Sequence, residues 1–137
     1  MGSEMCIRDR HWAAAGGAIT SFMDRVFYTA VCSGQKTFYL KPAASVVSAR
    51  RAGTTAAFEQ LNKYFMLMQM PVVASQYWNM VHGVNAEEVK QDLEGLQTMR
   101  TLGRNMAFLL QCKEAGLQAG VSLPRQEAPV FTNFIRS

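Results

Sequence analysis

A chain of 137 residues is long enough to bury one hydrophobic core but short for a complete doubly wound α/β domain, and no second domain is expected. Its net charge of +4 is diffuse and its only adjacent basic pair is Arg50 and Arg51, so a local anion site is favoured and nucleic-acid binding is not expected. No apolar stretch is long enough to span a membrane, no signal-peptide pattern is visible, and three scattered cysteines predict neither disulfides nor a zinc site, so a cytoplasmic protein is expected.

The first ten residues do not match the rest of the chain. They have no periodicity, and residues 5–10 read like a one-frame translation of an adapter used to prepare sequencing libraries. We therefore interpret residues 1–10 as an artefact that makes few contacts, and residues 11–137 as the C-terminal portion of a single domain. His11 and Trp12 would then lie at the end of a third strand, just before the first helix.

Residues 18–31 are predicted to form an amphipathic helix, entered through Gly16 and Gly17 and left through Ser33 and Gly34. Its apolar positions recur at helical spacing: Ile19, Phe22, Met23, Val26, Phe27, Ala30 and Val31.

A strand, a helix and a second strand are predicted next. The small and β-branched residues 43–49 indicate a strand covered on both faces, and the apolar run that begins at Val72 indicates a second strand over residues 72–77. Between them, apolar residues at three-and-four spacing predict a helix: Ala57, Phe58, Leu61, Tyr64, Phe65 and Met68. Such a unit places the two strands parallel and adjacent.

The turn after the first of these strands is the strongest candidate site, because open parallel sheets bind ligands beyond the carboxyl ends of their strands. Gly53 permits a close approach of the backbone, and Thr54 or Thr55 begins a helix with free N–H groups. Arg50 and Arg51 supply positive charge for an anionic group. The alternative is an ordinary turn with solvated arginines, and the local sequence leaves both interpretations open.

Aromatic residues and a histidine follow the second predicted strand. Tyr77, Trp78 and Asn79 would close that strand, where the rings could line a flat cofactor, fill a subunit interface or plug the end of the sheet. His82 has no serine, cysteine or carboxylate in evident register, so we predict an exposed loop histidine and no catalytic triad.

The second half is predicted to be mainly helical. Asn85 has the form of an N-cap, Gly95 and Gly103 could divide the long helical segment, and Gly116 or Gly120 closes it. The tail over residues 123–137 contains two prolines but is too apolar for a free end, so it should dock on the body or on a partner subunit.

Together these motifs resemble the flavodoxin-like NAD(P)H-dependent FMN reductases, especially the branch of iron–sulfur flavoproteins and multimeric flavodoxins. The resemblance extends from about residue 11 to 136. Its motifs are His11-Trp12-Ala13, the helix containing Asp24-Arg25-Val26-Phe27-Tyr28, the turn Ser48-Ala49-Arg50-Arg51-Ala52-Gly53, Gln76-Tyr77-Trp78-Asn79, and Thr132-Asn133-Phe134-Ile135-Arg136. It implies the C-terminal part of a three-layer α/β/α flavodoxin-like parallel sheet that lacks its N-terminal strands.

The resemblance also implies a cofactor and a set of residues to hold it. FMN would be the cofactor, NAD(P)H the electron donor, and a quinone or free flavin the small-molecule acceptor. The residues that would contact the flavin are Trp12, Ala13, Ser48, Ala49, Arg50, Arg51, Ala52 and Gly53, with no catalytic residue and no metal ligand assigned. Relatives with an iron–sulfur cluster hold it through cysteines of the N-terminal part that this sequence lacks, so the cluster stays undecided.

The resemblance is compatible with three hypotheses about the biochemical role. The main hypothesis is an FMN-dependent oxidoreductase, homo-oligomeric when full length. The second is a flavodoxin-like electron carrier or redox-sensing module without turnover. The third is an incomplete folding unit without function.

Overall fold

The computed structural model describes residues 10–11, 14–132 and 134. Its elements in chain order are β1 (Arg10–His11), β2 (Ala14–Ala15), α1 (Gly17–Cys32), β3 (Val47–Ala49), α2 (Thr54–Leu67), β4 (Met80–His82), α3 (Ala86–Val89) and α4 (Leu93–Gln118). The helices predicted over residues 18–31 and after Thr54 are confirmed.

Strands β3 and β4 form a parallel pair connected through α2, as a βαβ unit requires. The fold is therefore α/β with a small parallel sheet, which agrees with part of a flavodoxin-like fold. The second strand was placed too early, because regular pairing begins at Met80 and residues 72–77 contribute only an isolated parallel bridge between Val72 and Ala43.

Residues 73–79, between this bridge and β4, leave the line of the strand and explain why regular pairing starts late. We call this segment the excursion. Four positions separate Ala43 from Val47 on the first strand, whereas eight separate their partners Val72 and Met80, so the second strand accommodates four extra residues. The Ser75 hydroxyl lies 2.7 Å from Asn79 Oδ1, and the fully buried Asn79 donates from Nδ2 to the Val73 carbonyl at 3.4 Å. These side-chain hydrogen bonds hold a local turn where the sequence pattern predicted a continuous strand.

Helix α4 packs against β4, where Met80 and Val81 are buried, and a second part of the core lies between the parallel pair and helices α1 and α2. Its buried members are Ala15, Val47 and Ala57, and the half-buried side chains of Ile19, Phe58 and Leu61 pack against them. Val46 and Ser48 alternate with the buried positions of the first strand and are exposed. The expectation that residues 43–49 are covered on both faces is therefore wrong, because within the described ranges a helix covers only the Val47 and Ala49 face.

Helix α1 packs through Met23 and Phe27, which are buried. The Phe27 ring is surrounded by other aromatic rings, with centroids 5.0 Å from Phe38, 6.0 Å from Tyr64 and 6.3 Å from Phe65. The predicted apolar stripe is only partly used, since Phe22 and Val31 stay exposed.

Before α1, β1 and β2 pair antiparallel, with His11 opposite Ala14 and Arg10 opposite Ala15. His11 is therefore not the end of a third parallel strand, because the chain reverses directly after it. Of residues 1–10 the structure describes only Arg10, whose backbone pairs with that of Ala15, so the expectation that these residues make few contacts stays a prediction.

The helical second half is divided by residues 90–92, between α3 and α4. Asn85 is confirmed as an N-cap, because its side chain accepts a hydrogen bond from the Glu88 N–H. The expected division at Gly95 or Gly103 is wrong: both lie inside α4, which begins at the Asp92 cap. Gly120, at φ +86°, follows the end of α4, so the second of the two expected terminators is the one used.

Hydrogen bonds join the described part of the tail after α4 to the body. The Tyr39 hydroxyl donates to the Pro124 carbonyl at 3.2 Å, and Gln126 Nε2 donates to Gln69 Oε1 at 3.0 Å. Beyond these contacts the apolar side chains of Val130, Phe131 and Phe134 are exposed, so docking on the body is observed only for the first part of the tail.

Candidate functional site

The carboxyl ends of the two parallel strands lie side by side and bring two loops together. Ala49 is in register with His82, and the Gly83 N–H donates to the Ala49 carbonyl at 3.0 Å. The turn after β3 and the loop after β4 are therefore neighbours at the edge where parallel sheets bind ligands.

The turn from Ser48 to Gly53 presents polar and basic groups to solvent. Ser48, Arg50 and Arg51 are exposed, while Gly53 is half-buried. Gly53 is the N-cap of α2 in the left-handed region, at φ +86°, and no side chain caps this helix. Two cations and the N-terminal N–H groups of a helix thus lie within one turn, an arrangement that favours an anionic group.

The predicted site residues are distributed unevenly in this structure. The flavin-contacting assignments of Trp12 and Ala13 lie outside the described residues. Ala49 is only 2% exposed and its carbonyl accepts a hydrogen bond from Gly83, so it anchors the start of the turn and its side chain does not face a ligand in solvent. Ala52 is exposed and lies between the arginines and Gly53.

A histidine and an aspartate, which the sequence analysis did not connect, lie at the end of β4. Asp92 Oδ2 accepts from the His82 backbone N–H at 2.6 Å, Asp92 Oδ1 accepts from the Gly95 N–H at 2.9 Å, and His82 Nδ1 lies 3.8 Å from Asp92 Oδ2. The hydrogen bond from Gly95, followed by that from His82, lowers the pKa of the Asp92 carboxyl below its ordinary value of 3.8. His82 therefore ends a strand instead of lying in a loop and has a carboxylate neighbour, both contrary to the sequence prediction, while its side chain is still 43% exposed.

A cavity of about 260 Å³ adjoins this pair and has an acidic rim. Its lining residues are Tyr77, Met80, His82, Asp92, Glu94, Gly95 and Thr98. With two carboxylates in its wall, the cavity disfavours an anion, whereas the Ser48–Gly53 turn attracts one. The two sides of the strand ends therefore differ in charge, and the basic side fits an anionic cofactor.

The exposed aromatic pair Tyr77 and Trp78 lies in the excursion before β4. The two rings meet edge to face, with centroids 4.8 Å apart. Helix α4 holds the excursion, since Asn105 Nδ2 donates to the Ala74 carbonyl at 2.8 Å and Thr101 Oγ1 donates to Gln76 Oε1 at 2.7 Å. The expectation that these rings close a strand is corrected: they precede β4, and only Tyr77 reaches the cavity beside His82.

Among residues 10–11, 14–132 and 134, no group of three or more His, Cys, Asp or Glu side chains is arranged to hold a metal ion. No helix in the same part of the chain has the length and apolar character that a membrane crossing needs.

A family model described as NADPH-dependent FMN reductase matches residues 10–85, which are 76 of the 137 residues. The match includes β1 to β4 and the whole Ser48–Gly53 turn. No curated protein and no solved structure matches the chain.

Proposed function

Because this chain belongs to the NADPH-dependent FMN reductase family, we propose that it takes a hydride from NAD(P)H through FMN and passes electrons to a small-molecule acceptor. The family is one of flavin-dependent oxidoreductases, and a quinone or a free flavin is the acceptor class we propose. The observation that supports a flavin site in this chain is the exposed basic turn at the carboxyl end of a parallel strand.

The residues of this turn fit one edge of an anionic, planar cofactor. Gly53 has no Cβ that would obstruct a flat group approaching the start of α2, and glycine adopts its left-handed backbone without strain. The first N–H groups of α2 have no acceptor within their own helix and can donate to a ligand oxygen. Arg50 and Arg51 are exposed beside them and would hold charged groups of FMN.

FMN, when bound, supplies the hydride and electron chemistry, and the chain supplies orientation and charge. Positive charge from Arg50 and Arg51 would stabilise FMN, which becomes more negative on reduction. The Ser48 hydroxyl and the N–H groups around Gly53 orient its edge. Asp92 is held ionised at the neighbouring strand end, so no proton is assigned to it.

The proposal is tested by removing the two charges. In the FMN-loaded protein, Arg50→Ala with Arg51→Ala should raise the FMN dissociation constant about 10-fold, since a charge-assisted hydrogen bond contributes about 1.5 kcal/mol or more. The flavin midpoint potential should become more negative and hydride transfer from NAD(P)H should slow. The measurements are flavin fluorescence titration, redox potentiometry and stopped-flow absorbance.

The matched control is Arg100→Ala with Arg104→Ala, which removes two exposed arginines from α4 and should leave all three quantities unchanged. Unchanged affinity, potential and rate in the Arg50 and Arg51 variant would make these arginines solvated turn residues. FMN binding without NAD(P)H oxidation would instead favour an electron carrier or redox-sensing module. A chain that binds no FMN at saturating concentration would refute the flavin site.

A further inference from the structure

The cavity beside the end of β4 is small and its wall is negatively charged. Its volume of about 260 Å³ is below the about 300–1,000 Å³ of pockets that take drug-sized ligands, so only a small ligand fits. None of the described residues that line it is lysine or arginine, whereas Asp92 and Glu94 are carboxylates. The N-terminal end of α4 adds about half a positive charge, which is less than the two negative charges of these side chains. The wall therefore favours a cation.

The Thr98 hydroxyl is a polar group of this wall that the protein leaves without a hydrogen bond. Thr98 lies in the second turn of α4 and is only 1% exposed, and its hydroxyl has no hydrogen-bond partner among the described residues. In that part of the chain, every side-chain nitrogen or oxygen that is sealed from solvent has a partner. The Thr98 hydroxyl is therefore reached from the open space that the residue lines, which is the cavity. A buried hydroxyl of this kind is stabilised when a molecule in the cavity binds it.

The Asp92 carboxylate also has capacity for a further donor. Its oxygens accept one N–H each, from Gly95 and His82, whereas an ionised carboxylate offers about four lone-pair sites. These two bonds lower the pKa of the Asp92 carboxyl, so the group is charged at neutral pH. Tyr77 and Met80 add an aromatic ring and a thioether to the same wall. An aromatic ring attracts a cation to its face, and both side chains can contact a hydrocarbon chain.

We propose that this cavity binds a primary ammonium group that carries a short apolar or aromatic chain. The ammonium group has three N–H donors, and the Thr98 hydroxyl and the carboxylates of Asp92 and Glu94 supply acceptors for them. Tyr77 and Met80 would contact the hydrocarbon chain. A metal ion fits less well, since the described residues contain no group of three side chains arranged to hold one. This inference does not depend on the flavin proposal.

Three probes of similar shape separate the contribution of charge from that of hydrogen bonding. The 2-phenylethylammonium ion has a charge and N–H donors, 2-phenylethanol has no charge, and benzyltrimethylammonium has a charge but no N–H donor. Isothermal titration calorimetry at pH 7 and low ionic strength should give 2-phenylethylammonium a dissociation constant at least about 10-fold lower than that of either control, because hydrogen bonds from a charged donor are the stronger ones. Equal affinities for the three probes, or no binding of the ammonium ion, would overturn the proposal.

Nuclear magnetic resonance locates the bound probe. The backbone N–H groups of Gly95 and His82 both donate to Asp92, so their amide signals report on that carboxylate. Saturating 2-phenylethylammonium should shift these two signals and that of Thr98, and should leave the signal of Ala57, in the core under α2, unchanged. Shifts spread over the exposed carboxylates of the chain, without a maximum at this cavity, would show adventitious binding only and would overturn the site.

Substitutions test the hydroxyl and the charge separately. Thr98→Val keeps the shape of the side chain and should raise the dissociation constant of 2-phenylethylammonium at least about 10-fold. Its melting temperature should stay the same or rise, because the variant loses no hydrogen bond within the described residues. The control Thr29→Val, at an exposed threonine of α1, should leave the dissociation constant unchanged.

The charge is tested on the rim, because Asp92 caps α4 and its loss would destabilise the fold. Glu94→Gln should raise the dissociation constant about 2–5-fold, as expected for an exposed charge. Glu59→Gln, which removes an exposed charge from α2, should not change it. A Thr98→Val variant that melts lower and binds the ammonium ion as before would assign the hydroxyl a structural role and refute the proposal. Equal effects of Glu94→Gln and Glu59→Gln would refute it as well.

Discussion

The Asp92 carboxylate joins the end of β4 to the start of α4, and its replacement should destabilise the protein. One oxygen accepts the Gly95 N–H as a helix cap and the other accepts the His82 N–H at the strand edge. Asp92→Ala removes both acceptors at once, whereas Asp92→Asn removes the charge and keeps a single acceptor oxygen.

The magnitude follows from these two hydrogen bonds. Loss of an N-cap costs about 0.5–2 kcal/mol, and a strand N–H left without an acceptor costs about 1–3 kcal/mol if water does not reach it. We therefore expect Asp92→Ala to lower the free energy of unfolding by about 2–4 kcal/mol and Asp92→Asn by about 1–2 kcal/mol. At about 3–4 °C for each kcal/mol, the alanine variant should melt about 6–16 °C lower.

Urea denaturation across pH measures this contribution and its sign. The pKa of Asp92 is lowered in the folded state, so its stabilisation is present above the unfolded value of about 3.9 and is lost as pH falls through the folded value. The difference between the wild type and Asp92→Asn should thus be full at pH 7 and shrink below about pH 4. Glu94→Gln removes an exposed charge from the same helical turn and should cost only about 0.3–1 kcal/mol. An Asp92→Ala variant within about 0.5 kcal/mol of the wild type, or a difference between the wild type and Asp92→Asn that does not shrink as pH falls below about 4, would refute this reasoning.

Two further predictions concern glycines. Gly95→Ala should destabilise α4, because the new Cβ would clash with Asp92 Oδ2 and lie 2.9 Å from Val81 Cγ1. Gly103→Ala meets nothing within 4 Å and should stabilise the protein by about 0.5–1 kcal/mol. Equal shifts in thermal melting for the two variants would contradict this contrast. Gly53→Ala should lower the free energy of unfolding by about 1–2 kcal/mol, because φ at this position is +86°. Gly53→Asn should lower it less, because asparagine tolerates this region. Equal unfolding free energies for the two variants would contradict the assigned conformation.

Helices and their caps were the most predictable features of this chain. The spacing of apolar residues in α1 and α2 and the Asn85 cap are local signals, and the structure has them where they were predicted. The boundary at Asp92 was missed although an aspartate followed by Glu94 is itself a helix-start signal, because the Asn85 motif already explained the segment.

The errors arise where distant residues decide the structure. The apolar run at Val72 predicted a strand, but the turn built by Ser75 and Asn79 delays regular pairing to Met80. The contact between His82 and Asp92 joins residues ten positions apart across a loop and a short helix, and no periodicity records it. For the candidate site, sequence placed the Ser48–Gly53 turn at the strand end but not the acidic cavity beside it.

The two edge strands of the small sheet, β3 and β4, differ in whether their outward backbone N–H groups already have acceptors. On β4 the outward N–H groups of Met80 and His82 are already bonded, to the Trp78 carbonyl and to Asp92. On β3 the ladder to β4 uses Val47 and Ala49, so the N–H and C=O of Ser48 point to the other side, where no strand of the described residues pairs with them. Strand addition is therefore confined to the β3 side. Two copies joined edge to edge there would leave only the β4 edges of this sheet, where the outward N–H groups already have acceptors, so further strand addition would be disfavoured.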